Sequence, residues 1–476
     1  MSPEPHLRVA LCGIGLEAYW EQFDGLRAEL EGYLARAGEQ LQSPGVELVP
    51  LGLVDSADRA REAGRQCRAT NAELLVLYVT TYALSSTVLL LAKRAGIPIL
   101  VLNLQPRAAI DYAEFNRLPD RIRMTGYWLA YCSACPVPEI ANVFTRAGIP
   151  FHQVTGYLDD SATWIEIREW LAAARVRSIL RDSNLGLLGH YYTGMLDVAT
   201  DITQISITFG CLIEMLEVDE LSALRETVTG EQIDQRVCEF RGHFDIQQDC
   251  PLAELERAAR SSVALDRFAA QHDLGALAYY YKGSGNAANE DTMSSIILGT
   301  SLLTARHVPV AGEYEVKNAI AMKILDSLGA GGSYTEYYAI DFHDDIVLMG
   351  HDGPGHIAIA EGKTRVRPLD VYHGKVGRGL SVEMSVRQGP VTLLSIAEDK
   401  QHGFKFLVAH ATCEPGPTLA IGNTNSRFRF SIGARQFVQQ WNEQAPAHHC
   451  AIGIGHLGPT LNKLARLLQI PIHQVC

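Results

Sequence analysis

Near-continuous apolar runs separated by amphipathic stretches dominate the first third of the chain. Leu7–Gly13, Val46–Val54, Ala72–Thr80 and Pro98–Leu104 predict strands, and Phe23–Leu41, Arg59–Thr70 and Leu84–Ala95 predict the helices between them. The run AELLVLYVT is apolar at both parities, as a parallel strand covered on both faces requires. Alternation of this kind means βαβ units and a parallel sheet with helices on both faces. The pattern weakens between Pro106 and Tyr127, which reads as a surface or active-site loop. It resumes with a helix after Pro136, a strand at Phe151–Thr155 and an amphipathic helix at Ser161–Arg177. A second βα set opens at Asn184–Gly189, with His190, Tyr191, Tyr192 and Met195 in the loop at the strand's carboxyl end, where open α/β sheets bind ligands. Helices follow at Glu214–Leu224, Thr229–Phe240, Leu252–His272 and Ile296–Arg306, with a strand at Leu274–Tyr281 and a polar loop, KGSGNAANED, after it. Val316, Ile320, Ile324 and Leu328 recur at helical spacing, and Gly329 can end that helix.

Beyond Gly329 the period changes to two. Tyr334–Phe342 and Asp345–Met349 read as a hairpin with only His343 and Asp344 between them, so opposed residues sum to 687. That register sets Glu336 directly across from His351, on a face shared with Tyr338, Ile340, Phe342, Val347 and Met349. A lone carboxylate on an apolar face is costly, so it is paired or bound to a cation. Val366–Leu369, Leu380–Arg387, Val391–Glu398, Phe404–Thr412 and Phe428–Ile432 read as short strands of a closed or nearly closed β-structure, and Leu461–Leu468 as a last helix.

Composition narrows the class. Of 476 residues 47% are hydrophobic and 20% charged, an ordinary globular balance with room for two to four domains. A net charge of −13 argues against nucleic acid and against an anionic membrane surface. MSPEPHLRVALCGIG has no basic start followed by a long apolar core, and no apolar run is long enough to span a bilayer. Ten cysteines are scattered, and Cys132 and Cys135 form the sole CxxC pair, so neither a zinc ribbon nor a disulfide framework is indicated. A cytoplasmic protein with reduced thiols is expected. Gly13-Ile-Gly15 lacks the third glycine of a dinucleotide-binding turn and reads as an ordinary loop.

Four positions then stand out. Glu313 lies at or just before a helix start, where the dipole favours a carboxylate. With Glu336, His351 and one of His448 and His449, it makes two carboxylates and two imidazoles, an O,N donor set that fits Mn²⁺, Mg²⁺ or Co²⁺. The chain resembles the L-arabinose isomerase branch of the L-fucose/L-arabinose isomerase group. The residues that carry the resemblance are Gly312-Glu313-Tyr-Glu-Val-Lys317-Asn-Ala, Gly331-Gly-Ser-Tyr-Thr-Glu336, Leu348-Met-Gly-His351 and Ala447-His448-His449. The resemblance implies that Glu313, Glu336, His351 and His449 are the metal ligands. It further implies that the two glutamates share the proton transfers, and that Met195, Tyr338, His448 and Asp352 line the sugar pocket. It implies α/β architecture: two Rossmann-like α/β domains, 1–165 and 166–328, followed by a C-terminal β-barrel domain, 329–476. It implies an aldose–ketose isomerase using Mn²⁺ or another divalent cation, with L-arabinose to L-ribulose the family default and an enediol as intermediate. A homo-oligomer, trimer or hexamer, is implied as well. One departure stands beside the metal histidine. The family continues there with a Met-Leu-Glu-Val-Cys-Pro-like run, and this chain with Asp352-Gly-Pro-Gly-His356. That change bears on which sugar is taken, with L-fucose, D-arabinose or a branched pentose as alternatives. A non-catalytic sugar-binding protein is the alternative of another class, since stacked α/β domains also build such proteins.

Overall fold

Five parallel strands form the first sheet: β1 (Leu7–Ile14), β2 (Val46–Val54), β3 (Leu74–Val79), β4 (Ile99–Gln105) and β5 (Phe151–Tyr157), in the order β2-β1-β3-β4-β5. Every residue of β3 is buried, which is what its two-sided apolar sequence demands. This computed structural model describes residues 7–369, 377–400 and 403–476. The chain divides into two units, Met1–Ser178 and Ile179–Cys476, and the first sheet belongs to the first. The segment read as a loop after Pro106 holds two helices, Tyr112–Phe115 and Arg121–Leu129. Asp111 and Asp120 cap them by accepting from the backbones of Glu114 and Arg123. Only Leu129 is buried in the two, so no apolar stripe marks them in the sequence.

In the second unit β6 (Asn184–Gly189), β7 (Leu212–Leu216), β9 (Leu274–Tyr280) and β10 (Val310–Ala311) form a parallel sheet ordered β10-β9-β6-β7, while the short β8 (Asp245–Ile246) lies elsewhere. The expected helix from Glu214 is corrected: β7 runs to Leu216 and the helix begins at Val218. Leu, Glu and Met favour helix locally, and pairing with β6 overrides that preference. Likewise the polar run after β9 contains a helix, Ala287–Ser294, capped by Asn286.

The remaining strands are β11 (Gly331–Asp341), β12 (Ile346–His351), β13 (Arg365–Leu369), β14 (Gly379–Glu383), β15 (Gly389–Asp399), β16 (Gly403–Glu414), β17 (Thr424–Arg429), β18 (Cys450–Ile454) and β19 (Ile472–Gln474). Antiparallel pairing runs β11-β12-β17-β16-β15-β18 and back to β11, closing a six-stranded barrel. Closure removes the exposed edges that an open antiparallel sheet would carry. Val347, Met349, Leu393, Leu407, Phe428 and Ile452 fill the interior, with Phe437 and Trp441 from the helix Ala434–Glu443. β13 and β14 join β8 in a small separate sheet.

The helix Val316–Ser327 joins sheet and barrel within this unit. It packs against β9 on one side and β11, β15 and β18 on the other. All residues from Val316 to Asp326 are buried, because both sides of the helix are covered. Among the described residues no helix is long and apolar enough to cross a membrane.

The hairpin register is half as expected. Ala339, Ile340 and Asp341 pair with Leu348, Val347 and Ile346, each summing to 687. A bulge at Tyr338 then slips the ladder by one, so Glu336 faces Gly350 and not His351. An extra residue in one strand inverts the alternation on its far side. Ile340 and Tyr337 both pack on the barrel core, three positions apart, and Glu336 is turned away from the apolar face first assigned to it.

Candidate active site

The carboxyl ends of β6, β9 and β10 meet the outer wall of the barrel here. His190, Tyr191 and Tyr192 follow β6, Tyr281 follows β9, and Glu313 follows β10. Glu313 (φ 57°) and Tyr314 (φ 64°) are consecutive left-handed residues, a conformation that costs roughly 1–2 kcal/mol each for a residue with a Cβ. The strained turn delivers Glu315 as the N-cap of the helix Val316–Ser327, and both glutamates are buried.

Tyr334 is the centre of the arrangement. Its ring lies 4.5 Å from the His351 ring edge-on and 4.5 Å from the His449 ring in a stack. Burial first, then the charges of Glu315, Glu313 and Glu336, push its hydroxyl well above the usual phenol range. A Cβ at Gly312 would lie 3.1 Å from this ring, so glycine there makes room for it.

The two inner imidazoles are oriented alike. His449 Nδ1 donates to Glu315 Oε2 at 2.5 Å, with both side chains almost wholly buried. His351 Nδ1 donates to the backbone carbonyl of Asp352 and lies 3.3 Å from its carboxylate. A carbonyl can only accept, so His351 carries its proton on Nδ1 and leaves the Nε2 lone pair for a cation. Burial and the neighbouring His449 push His351 down to about 4, which keeps it a neutral donor of electrons.

His448 is different. Half exposed, it holds Glu336 Oε2 at 2.6 Å through Nε2. Burial alone would raise the Glu336 carboxyl, but the His448 hydrogen bond and the imidazoles of His351 and His449 hold it below the usual carboxylate range. The same bond raises His448 above its ordinary value. Among the described residues, the group whose donor atoms lie within 4.8 Å of one another is Glu336, His448 and His449. One carboxylate and two imidazoles are a donor set consistent with a divalent cation. Glu313 and His351 flank the same tyrosine and are not in that group of three.

The remaining expected residues fall around this core. Tyr338 at the bulge is half-buried, accepts from Asn423 Nδ2 at 3.4 Å, and feels the charges of Asp352 and Glu336. Asp352 follows His351 directly, and Met195 is half-buried in the loop after β6. Two residues further on, Asp197 accepts the backbone N–H of His448 at 2.8 Å. Asp197 and His448 also line a 380 Å³ pocket with Tyr337, Met349, Trp441 and Pro446. A Cβ at Gly350 would come within 1.8 Å of the Thr424 carbonyl oxygen, so the position across from Glu336 carries no side chain.

Sequence reasoning missed Glu315, Tyr334 and Asp197. For Glu315 the signal was slight: it sits two residues from Glu313, but the helix it opens carries Lys317, Asn318, Lys323 and Asp326, so the sequence does not mark that end as buried.

No family model matches the chain. It is similar to curated L-arabinose isomerases. It is 24% identical to that of a Nocardioides species over 384 residues, covering 76% of this chain and 72% of the relative. The Shouchella clausii enzyme is 21% identical, covering 59% of this chain and 61% of the relative. That of Clostridium beijerinckii is 22% identical, covering 65% and 64%.

Proposed function

We propose, proceeding from this resemblance to the L-arabinose isomerases, that the protein interconverts an aldose and its ketose with the help of a divalent cation, Mn²⁺ by preference and Co²⁺ or Mg²⁺ otherwise. The default reaction is L-arabinose to L-ribulose. The observation that carries the reading is the grouping of Glu336, His448 and His449, whose donor atoms lie within 4.8 Å of one another, beside the buried Tyr334 ring that His351 and His449 pack against. Glu336 and His449 would hold the ion, with His351 and Glu313 as the further ligands. When bound, a divalent cation polarises the sugar carbonyl and offsets the negative charge that develops on O1 and O2. In this reading Glu336 takes the C2 proton, a role supported by the imidazole neighbours that favour its carboxylate form. Glu313 manages the proton on the opposite side of the sugar. His448 donates its Nε2–H to Glu336 and steadies that carboxylate as its charge changes. Tyr338, Met195 and Asp352 would bind the sugar, and burial around Tyr334 excludes water from the enediol intermediate. The oligomer in this reading is a trimer or hexamer.

One feature bears on the choice of sugar. Asp352 lies between His351 and the glycine turn at Gly353 (φ 111°), adding a carboxylate beside the site. It keeps L-fucose, D-arabinose or a branched pentose as alternatives to the default L-arabinose. A panel of pentoses and deoxyhexoses, each incubated with the purified protein and Mn²⁺, is assayed for ketose formation. L-arabinose is expected to turn over fastest. Ketose from another aldose alone would move the substrate, and no ketose from any of them with Mn²⁺, Co²⁺ or Mg²⁺ would refute the isomerase.

A further inference from the structure

We infer that Asp197 is a positioning residue for His448, a role that rests on the reading of Glu336 and His448 as part of an isomerase site. The side chain of His448 is half exposed, so packing alone does not fix its rotamer. Its ring touches His449 edge-on at 4.6 Å and bonds Glu336 at 2.6 Å. The backbone beneath it is pinned twice. Ala447 N–H donates to Ser395 Oγ on β15 at 3.1 Å, and His448 N–H donates to Asp197 Oδ2 at 2.8 Å. Asp197 is itself anchored, because the ammonium of Lys317 donates to its backbone carbonyl. Lys317 is buried and lies 3.7 Å from Glu398, so it is a fixed post and not a solvated chain end. The loop after β6 is thereby tied to the helix Val316–Ser327, and its aspartate aims the His448 backbone so that the imidazole meets Glu336. Asp197 takes no proton and touches no sugar in this scheme; it acts through His448.

The test uses the full-length protein with Mn²⁺ and compares Asp197→Ala with Asp197→Asn. Asparagine keeps an accepting oxygen where alanine has none. By analogy with the loss of outer-shell support at metal sites, Asp197→Ala should lower kcat and Mn²⁺ affinity about ten-fold or more, with KM nearly unchanged. Asp197→Asn should recover most of both, and neither should shift the melting temperature much, since the residue is exposed. Wild-type kcat in Asp197→Ala, or equal damage in both variants, would overturn the proposal. If the wild-type protein isomerises no aldose, the functional reading fails first. Positioning is then judged by the crystal structure of Asp197→Ala. A His448 ring displaced from Glu336 upholds it, and one still at 2.6 Å overturns it.

Discussion

Replacing Glu315 with glutamine should lower metal affinity without lowering metal-free stability. Glu315 is fully buried, Oε2 accepts from His449 at 2.5 Å, and Oε1 has no hydrogen-bond partner among the described residues. A hydrogen bond to a charged group contributes about 1.5–3 kcal/mol and a neutral one about 1, so the exchange weakens the hold on His449 by about 0.5–2 kcal/mol. It also removes the negative charge that makes Nε2 a better donor. Outer-shell losses of this kind typically cost 10–100-fold in metal affinity, or about 1.4–2.8 kcal/mol at about 1.4 kcal/mol per decade. Without metal an opposing effect offsets the weaker hydrogen bond. A buried carboxylate with one unpaired oxygen is destabilising, and glutamine of the same shape relieves part of that. The assay is Mn²⁺ titration calorimetry together with melting curves in chelator and in excess Mn²⁺. Wild type and variant should melt alike in chelator, or the variant slightly higher. In excess Mn²⁺ the variant should lose about 1.4 kcal/mol of metal-linked stabilisation for each ten-fold loss of affinity. Unchanged Mn²⁺ affinity, or a fall in metal-free stability matching the fall in affinity, would refute the argument that Glu315 serves His449 as a ligand.

Three further outcomes are expected. Glu336→Gln should fold yet lose about 10²–10⁴-fold in kcat, because glutamine cannot take the C2 proton, and near-wild-type turnover would make Glu336 structural. His449→Ala should raise the Mn²⁺ dissociation constant at least about ten-fold by calorimetry, and an unchanged constant would take His449 out of the site. His272 sits between Glu214 and Glu220 at 2.8 Å each; burial lowers its pKa, but the two carboxylates raise it net above 6.5. Its contribution is therefore fully present below 6.5 and lost as pH rises through the folded value, so His272→Gln should lower the melting temperature more at about pH 5.5 than at about pH 9. Equal losses at both would show that the pair carries no charge-dependent stability.

Much of the architecture was legible because burial writes itself into periodicity. β3 is apolar on both parities since helices cover both faces, and the short strands after Gly329 alternate since one face fills a barrel. The misses have local causes. β7 is five residues of good helix formers held by pairing with β6 alone, and the helices after Pro106 bury only Leu129. β18 is too short and too flanked by Gly and His to stand out, yet it closes the ring, and His449 immediately precedes it. At the site, residue types were readable and partnerships were not. A glutamate two places from Glu313 meets a histidine 134 positions away, and no local pattern encodes that contact.

The bulge at Tyr338 shows why register counting gave Glu336 the wrong partner. Counting from the turn is sound only while the ladder is regular, and it holds as far as Ala339. Had it continued, Glu336 would have pointed with Ile340 into a barrel lined by Val347, Met349 and Phe428, where a carboxylate has no partner. One extra residue instead sends Tyr337 inward against Phe437 and turns Glu336 outward to His448, on the side of Tyr334 and the sheet ends. The sequence contains the reason: an acid at the inward parity of an apolar strand is a conflict, and proteins resolve such conflicts at functional sites with bulges that re-aim a side chain. Inserting one alanine between Leu348 and Met349 would give Tyr338 a partner on β12, so it should restore the even register and drive Glu336 into the core. The variant should lose stability as well as metal binding, whereas Tyr338→Ala, which keeps the backbone count of both strands, should retain Mn²⁺ affinity. If the insertion variant were to bind Mn²⁺ as tightly as wild type, the bulge would not be what places Glu336.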